Sequence, residues 1–93
     1  MNQKTIAQIA SDFFKVPISK LRSPDRHRNI VWPRHICMYL ADSLNIRKSN
    51  IGRFWKRDRT AVYNAVRRVE EAMETDKKSL KEIQIISKQL VGK

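Results

Sequence analysis

Between Trp55 and Thr60 two helical patterns meet across a few residues, and that junction restricts the fold of this chain more than any other feature. Ile51-Gly52-Arg53-Phe54-Trp55 reads as a short helix starting at Ser49 or Asn50, with Ile51 and Phe54 on its apolar side. A basic turn follows. Asp58 then stands just ahead of a second pattern, in which Val62, Ala65, Val66, Val69 and Met73 form one stripe. Asp is a strong N-cap because its carboxylate accepts from N–H groups that the first turn of a helix leaves free. A short helix, a tight turn and a capped second helix make a helix-turn-helix, the arrangement that places a helix N-terminus in a DNA major groove.

Helical spacing continues on both sides. Ile6, Ile9, Ala10, Phe13 and Phe14 give residues 5–15 an apolar face, with Thr5 as the expected cap and Pro17 as the stop. One further turn is expected over Ile18–Leu21, then a loop over residues 23–31. Pro33 suits a first helical turn, where its missing N–H costs nothing, so a helix from Pro33 to about Asn45 is expected to bury Ile36, Cys37, Leu40, Ala41 and Leu44. The pattern breaks near residues 75–78. Ser79 with Glu82 then makes a capping box for a last helix whose apolar face is Leu80, Ile83, Ile86 and Leu90. Trp32 and Trp55 read as core residues, with stacking on a sugar or a partner as the alternative. No strand alternation, repeat or low-complexity tract interrupts this reading, which is a single all-α domain over residues 1–93 with five or six helices. The helix over residues 79–91 either completes the core or pairs two chains, so oligomeric state stays open.

Composition narrows the function classes. The chain has 93 residues, 41% of them hydrophobic, and a net charge of +11. The charge is uneven: residues 15–68 carry 14 Lys/Arg against Asp25, Asp42 and Asp58, while the segments on either side each balance at zero. Cations concentrated in this way suit phosphate, because each neutralised phosphate releases condensed counterions. A single cysteine cannot form an internal disulfide and predicts a reduced, cytoplasmic setting, on the nucleoid if DNA is the ligand. No apolar run approaches the roughly 18 residues of a membrane span, and no signal-peptide pattern opens the chain. Met1 ahead of an intact first helix predicts a natural start. His27, His35 and Cys37 do not supply the paired spacing of a metal site. With glycine only at positions 52 and 92 there is no phosphate loop, and no nucleophile–base arrangement suggests catalysis. The chain therefore reads as a non-enzyme without metal or cofactor.

The candidate DNA residues fall into two groups. Arg59 and Thr60 occupy the first turn after Asp58, where side chains reach base edges; Arg there suits a bidentate bond to guanine, against the alternative of a solvated charge. Asn64, one turn on beside Tyr63, pairs with adenine or touches only backbone. Asp58 opposes phosphate, so capping is its first role and a base contact its second. Arg22, Arg26 and Arg28, with Lys20, suit a narrow minor groove or plain phosphate contact. Lys48, Arg53 and Lys56 are expected on phosphates, whereas Arg67 and Arg68 lie further along the helix.

Two segments together resemble the C-terminal DNA-binding domain of the bacterial replication initiator DnaA. Arg26-His27-Arg28-Asn29-Ile30-Val31-Trp32-Pro33-Arg34-His35-Ile36-Cys37-Met38-Tyr39-Leu40-Ala41 looks like the family's basic loop and the helix opening Arg-Pro-Arg-Gln-Ile-Ala-Met-Tyr-Leu. Ile51-Gly52 and Arg57-Asp58-Arg59-Thr60-Ala61-Val62 are similar to its Ile-Gly, Phe-Gly-Gly, Arg-Asp-His-Thr-Thr-Val signature. The similarity spans roughly residues 5–75. It implies an all-α, Trp-repressor-like domain whose basic loop enters the minor groove while the helix-turn-helix reads a box in the major groove. Carried over, Arg57, Asp58 and Thr60 match the signature and count as base-reading candidates, Arg26 and Arg28 are loop arginines, and Arg34 contacts DNA near the junction. His35 stands at the family's Gln and joins the basic-loop and phosphate candidates. Departures are Trp32 for Arg, Arg59 for the signature His, Ala61 for the second Thr, loss of both turn glycines, and an interval shorter by one residue. A changed turn re-aims the recognition helix, so the fold carries over better than the target sequence.

The expectation is a stand-alone, sequence-preferring binder of double-stranded DNA that regulates replication initiation or transcription without an ATPase module of its own. The alternative is a protein-interaction module for an initiator-family AAA+ protein or its regulator.

Overall fold

The computed structural model describes residues 2–92, and every regular element among them is helical: α1 (Gln3–Phe14), α2 (Ile18–Leu21), α3 (Arg28–Ser43), α4 (Lys48–Trp55), α5 (Arg59–Thr75) and α6 (Lys77–Val91). The all-α expectation holds, with the helix-turn-helix formed by α4 and α5. No helix among the described residues is long and apolar enough to cross a membrane.

Five local expectations are corrected. Leu44 is not buried: it is the C-cap residue just past the end of α3 and is 43% exposed. Asn2, not Thr5, caps α1: its Oδ1 accepts from the Thr5 N–H at 2.9 Å and from the Thr5 hydroxyl at 3.1 Å. Asp76, not Ser79, caps α6, accepting from the Lys78 N–H at 3.0 Å and from the Ser79 hydroxyl at 2.8 Å. At α1 the upstream Asn outranks Thr as a cap; at α6 Asp76 accepts from both the Lys78 N–H and the Ser79 hydroxyl, so Ser79 serves as a donor to the cap rather than as the cap itself. Next, α4 starts at Lys48 rather than at Ser49 or Asn50. Finally, α3 starts at Arg28 rather than Pro33, which takes the last four residues of the expected loop (28–31) into the helix and leaves Pro33 inside it. Proline there forfeits one helical hydrogen bond. The compensation is burial, because Ile30 and Pro33 both enter the core.

Three helices end in the same way without glycine. Lys15, Asn45 and Lys56 adopt left-handed φ values of 58°, 66° and 57°. The residue after each donates five positions back: Val16 to Ser11 at 3.1 Å, Ile46 to Ala41 at 3.1 Å and Arg57 to Gly52 at 2.8 Å. This is the Schellman closure, which satisfies carbonyls orphaned at a helix end.

The core sits where α3 crosses between α1 and α5. Ile6, Ala10, Ile36, Cys37, Met38, Ile51, Trp55, Val62 and Val69 are all fully buried there. Trp55 is thus core, as expected, and Trp32 packs half-buried against it. Helix α6 closes over α1 and α5, and its Ile83, Ile86 and Leu90 join this chain's own core.

Candidate nucleic-acid interface

The α4–α5 turn is built on close approach. A Cβ on Gly52 would stand 2.4 Å from the Arg57 carbonyl oxygen, so only glycine lets the turn fold back on α4. Lys56 takes the left-handed position at which a glycine is the unstrained choice. Asp58 caps α5, its Oδ1 accepting from the Ala61 N–H at 2.8 Å.

Downstream of that cap, α5 turns one face outward. Arg59, Thr60, Tyr63, Asn64, Arg67 and Arg68 are exposed, whereas Val62, Ala65, Val66 and Val69 point to the core. Residues four apart share a helix face, so Arg59, Tyr63 and Arg67 form one row and Thr60, Asn64 and Arg68 the next. Tyr63 is the large apolar group of this face, 55% exposed. Arg53 and Lys56 are exposed beside the turn, and Arg26 and Arg28 are exposed on the other flank, Arg28 as the first residue of α3. Arg47, exposed as the N-cap of α4, was outside the sequence-based set; only the local charge balance pointed to it.

The remaining candidates turn elsewhere. Arg34 is only 4% exposed. Its Nε donates to the Leu21 carbonyl at 2.7 Å, and its Nη2 to the carbonyls of Ser23 at 2.8 Å and Asp25 at 3.0 Å. Burial, then the nearby Arg57, lowers its pKa from the usual arginine range, with Asp25 opposing. Arg57 is half-buried: Nη1 donates to Trp55 O at 2.9 Å and Lys56 O at 3.2 Å, and Nη2 to Ser23 O at 3.0 Å. Arg22 donates from Nε to Phe54 O at 2.8 Å, with its guanidinium 4.5 Å over the Phe54 ring. A DNA contact by Arg34 does not fit this placement, and the donors of Arg22 and Arg57 are likewise turned toward backbone. Sequence spacing says nothing of the carbonyls that these three arginines meet across the fold.

Lys20 and Lys48 are paired. Lys20 lies 3.0 Å from Asp25, which also accepts the His27 backbone N–H at 2.8 Å and meets the His27 ring Nδ1 at 2.6 Å. Those bonds, the His27 backbone foremost, hold the Asp25 carboxyl well below the usual carboxylate range. Lys48 lies 2.8 Å from Asp42 and 4.6 Å above the Tyr63 ring, and the Asp42 hydrogen bond raises its pKa. His35 is pushed down to about 4, first by burial and then by Arg34, Arg68 and Arg57. It is neutral at physiological pH and brings no charge to a phosphate.

An Asp-capped helix, a turn tucked onto glycine and an outward row of Arg, Thr and Asn make up the candidate site. Residues 3–69 match the family described as the bacterial dnaA protein helix-turn-helix. The chain belongs to this family. The family is a DNA-binding domain of a non-catalytic kind. Relatives named chromosomal replication initiator protein DnaA include that of Nitrobacter hamburgensis, 37% identical over 87 residues, covering 91% of this chain and 18% of the relative. That of Mycoplasma capricolum is 33% identical over 95 residues, covering 100% of this chain and 21% of the relative. That of Onion yellows phytoplasma is 31% identical over 86 residues, covering 91% and 17%. The chain thus spans about a fifth of the length of these curated relatives, matching their C-terminal part.

Proposed function

We propose that this DnaA-family chain binds double-stranded DNA with sequence preference and regulates replication initiation or transcription by occupying its sites. The observation that carries the reading is the exposed row at the start of α5, flanked by exposed cations in a chain of net charge +11. In the proposed complex Arg59 donates its fork to guanine O6 and N7, Asn64 meets adenine, and Thr60 takes either kind of edge. Arg53 and Lys56 hold phosphates beside the turn, and Arg26 and Arg28 reach the adjacent groove. Since Arg59 stands where the family signature has His, the preferred site differs from that of relatives carrying His.

Selection of duplexes from a random library, followed by anisotropy at two salt concentrations, tests this directly. An enriched motif whose preference is lost in Arg59→Ala supports the reading. Binding without an enriched motif that vanishes at moderate salt ends it. That result would favour the alternative, in which the chain docks on an initiator-family ATPase.

A further inference from the structure

Helix α2 packs on α1 and α3 but has no comparable packing on α4 or α5. An open cleft lined by Ile18, Ser19, Arg22, Pro24, Lys56 and Arg57 runs along that seam. Hydrogen bonding crosses the seam, beside the Arg22 guanidinium over the Phe54 ring. Arg22 reaches Phe54 O at 2.8 Å, and Arg57 reaches Ser23 O at 3.0 Å while holding Trp55 O and Lys56 O. The Ser23 carbonyl also accepts from Arg34 at 2.8 Å, which anchors it to α3. Immediately beyond one side of this stitch lie Arg26 and Arg28, and immediately beyond the other lie Asp58 and Arg59.

We propose that Arg57 is a positioning residue for sequence readout: it ties the α2–α3 link to the α4–α5 turn and thereby fixes the reach of Arg26 relative to Arg59. The inference rests on the DNA-binding reading above. Reading two surfaces of a duplex at once requires both sets of donors to be held within about 0.5 Å of the productive geometry. A guanidinium supplies that constraint because its planar fork binds carbonyls on both sides of the seam together. An ammonium of the same charge is a single flexible point and cannot. In this role Arg57 need not touch DNA. Its loss leaves the phosphate contacts in place and blurs their register against the bases.

The test is Arg57→Lys, which keeps the charge and removes the fork, compared with the parent chain on a selected duplex and a scrambled one. The expected result is a loss of preference of about tenfold, the effect of one misread base pair, with scrambled-site affinity and salt slope unchanged. A merely structural residue would lower the melting temperature and weaken both duplexes alike, and that pattern overturns the proposal. A salt slope shallower by about one overturns it too, because it marks Arg57 as a phosphate ligand. A second arm needs no DNA. Spin labels on Arg26→Cys and Arg53→Cys report the distance across the seam, and Cys37, fully buried with its thiol pushed up to about 12, stays unlabelled. The distance distribution should broaden in Arg57→Lys; an unchanged width ends the proposal even if the chain binds DNA well. If the parent shows no sequence preference, the DNA reading and the readout role fall together, while a broadened distribution still establishes the stitch.

Discussion

Five of the ten arginines form two contrasting sets that the same stretches of sequence supply. Arg22, Arg34 and Arg57 turn inward to carbonyls in the last turns of α2 and α4, those of Leu21, Phe54 and Trp55, and to those of Ser23, Asp25 and Lys56 in the links that follow. Arg28 and Arg59 face solvent as the first residues of α3 and α5. The difference is physical. The last carbonyls of a helix lack intrahelical partners and carry the negative end of its dipole, so a guanidinium there is favourable twice over. In helices as short as α2 and α4, of 4 and 8 residues, such carbonyls are a large share of the backbone. A cation at a first helical position opposes the dipole instead. The inward set therefore serves the fold. The outward set is unfavourable for the fold, and departures of that kind gather at functional sites.

The largest expected effect strikes the inward set. Arg34→Met retains apolar bulk but strips the donors from Leu21, Ser23 and Asp25, and should lower unfolding free energy by about 4 kcal/mol, against a typical domain total of about 5–15. Urea denaturation followed by circular dichroism measures it; a loss under about 1 kcal/mol would dissolve the division. Next comes Gly52→Ala. A methyl 2.4 Å from the Arg57 carbonyl forces the turn open and pulls Arg57 away from Ser23. The expected loss is about 3 kcal/mol by the same assay.

This division also marks how far sequence could be read. Apolar spacing located the longer helices, because burial of one face leaves a periodic signature: Val62, Ala65, Val66 and Val69 are buried as their spacing implies. The helix starts were less legible. Capping is a competition among neighbours, and Asn2 and Asp76 prevail over Thr5 and Ser79. Pro33 misled because its usual place is a first turn, while burial of Ile30 draws the helix start back to Arg28. At the site, Asp58 was legible as a cap because that bond is local. Arg34 and Arg57 were not legible as inward residues, since their partners lie across the fold: Arg57 and Ser23 are 34 positions apart.

His35 is half-buried and feels the positive charge of Arg34, Arg68 and Arg57. Its folded pKa of about 4 lies below the ordinary histidine value of 6.5. Between those values the unfolded chain binds a proton that the native chain refuses, so stability is full above that window and falls as pH drops through it. Stability should be about 2 kcal/mol lower at about pH 4.5 than at about pH 7, and flat across that range in His35→Gln. A parent curve equally flat would place His35 in solvent. For the outward set the expected sign is reversed. Arg59→Ala should remove about 1.5 kcal/mol of base discrimination while raising stability by a few tenths, because a cation leaves the N-terminus of α5. Anisotropy on matched and substituted duplexes gives the first quantity and denaturation the second; a destabilised Arg59→Ala would move Arg59 to the inward set.

The smallest effect separates conformation from charge within one residue. Lys56 is both strained, at φ 57°, and exposed beside the turn. Lys15 has the same strain, at φ 58°, on the α1–α2 junction. Replacing either by glycine relieves a left-handed side chain, offset in part by the greater freedom of glycine in the unfolded chain, for a net gain of about 1 kcal/mol. On stability the two variants should therefore match. On DNA they should part: Lys56→Gly makes the salt slope shallower by about one and weakens selected and scrambled duplexes equally, whereas Lys15→Gly leaves both unchanged. Equal salt slopes would mean that the charge of Lys56 is as remote from phosphate as that of Lys15. The cationic face would then begin at Arg59 and not at the turn.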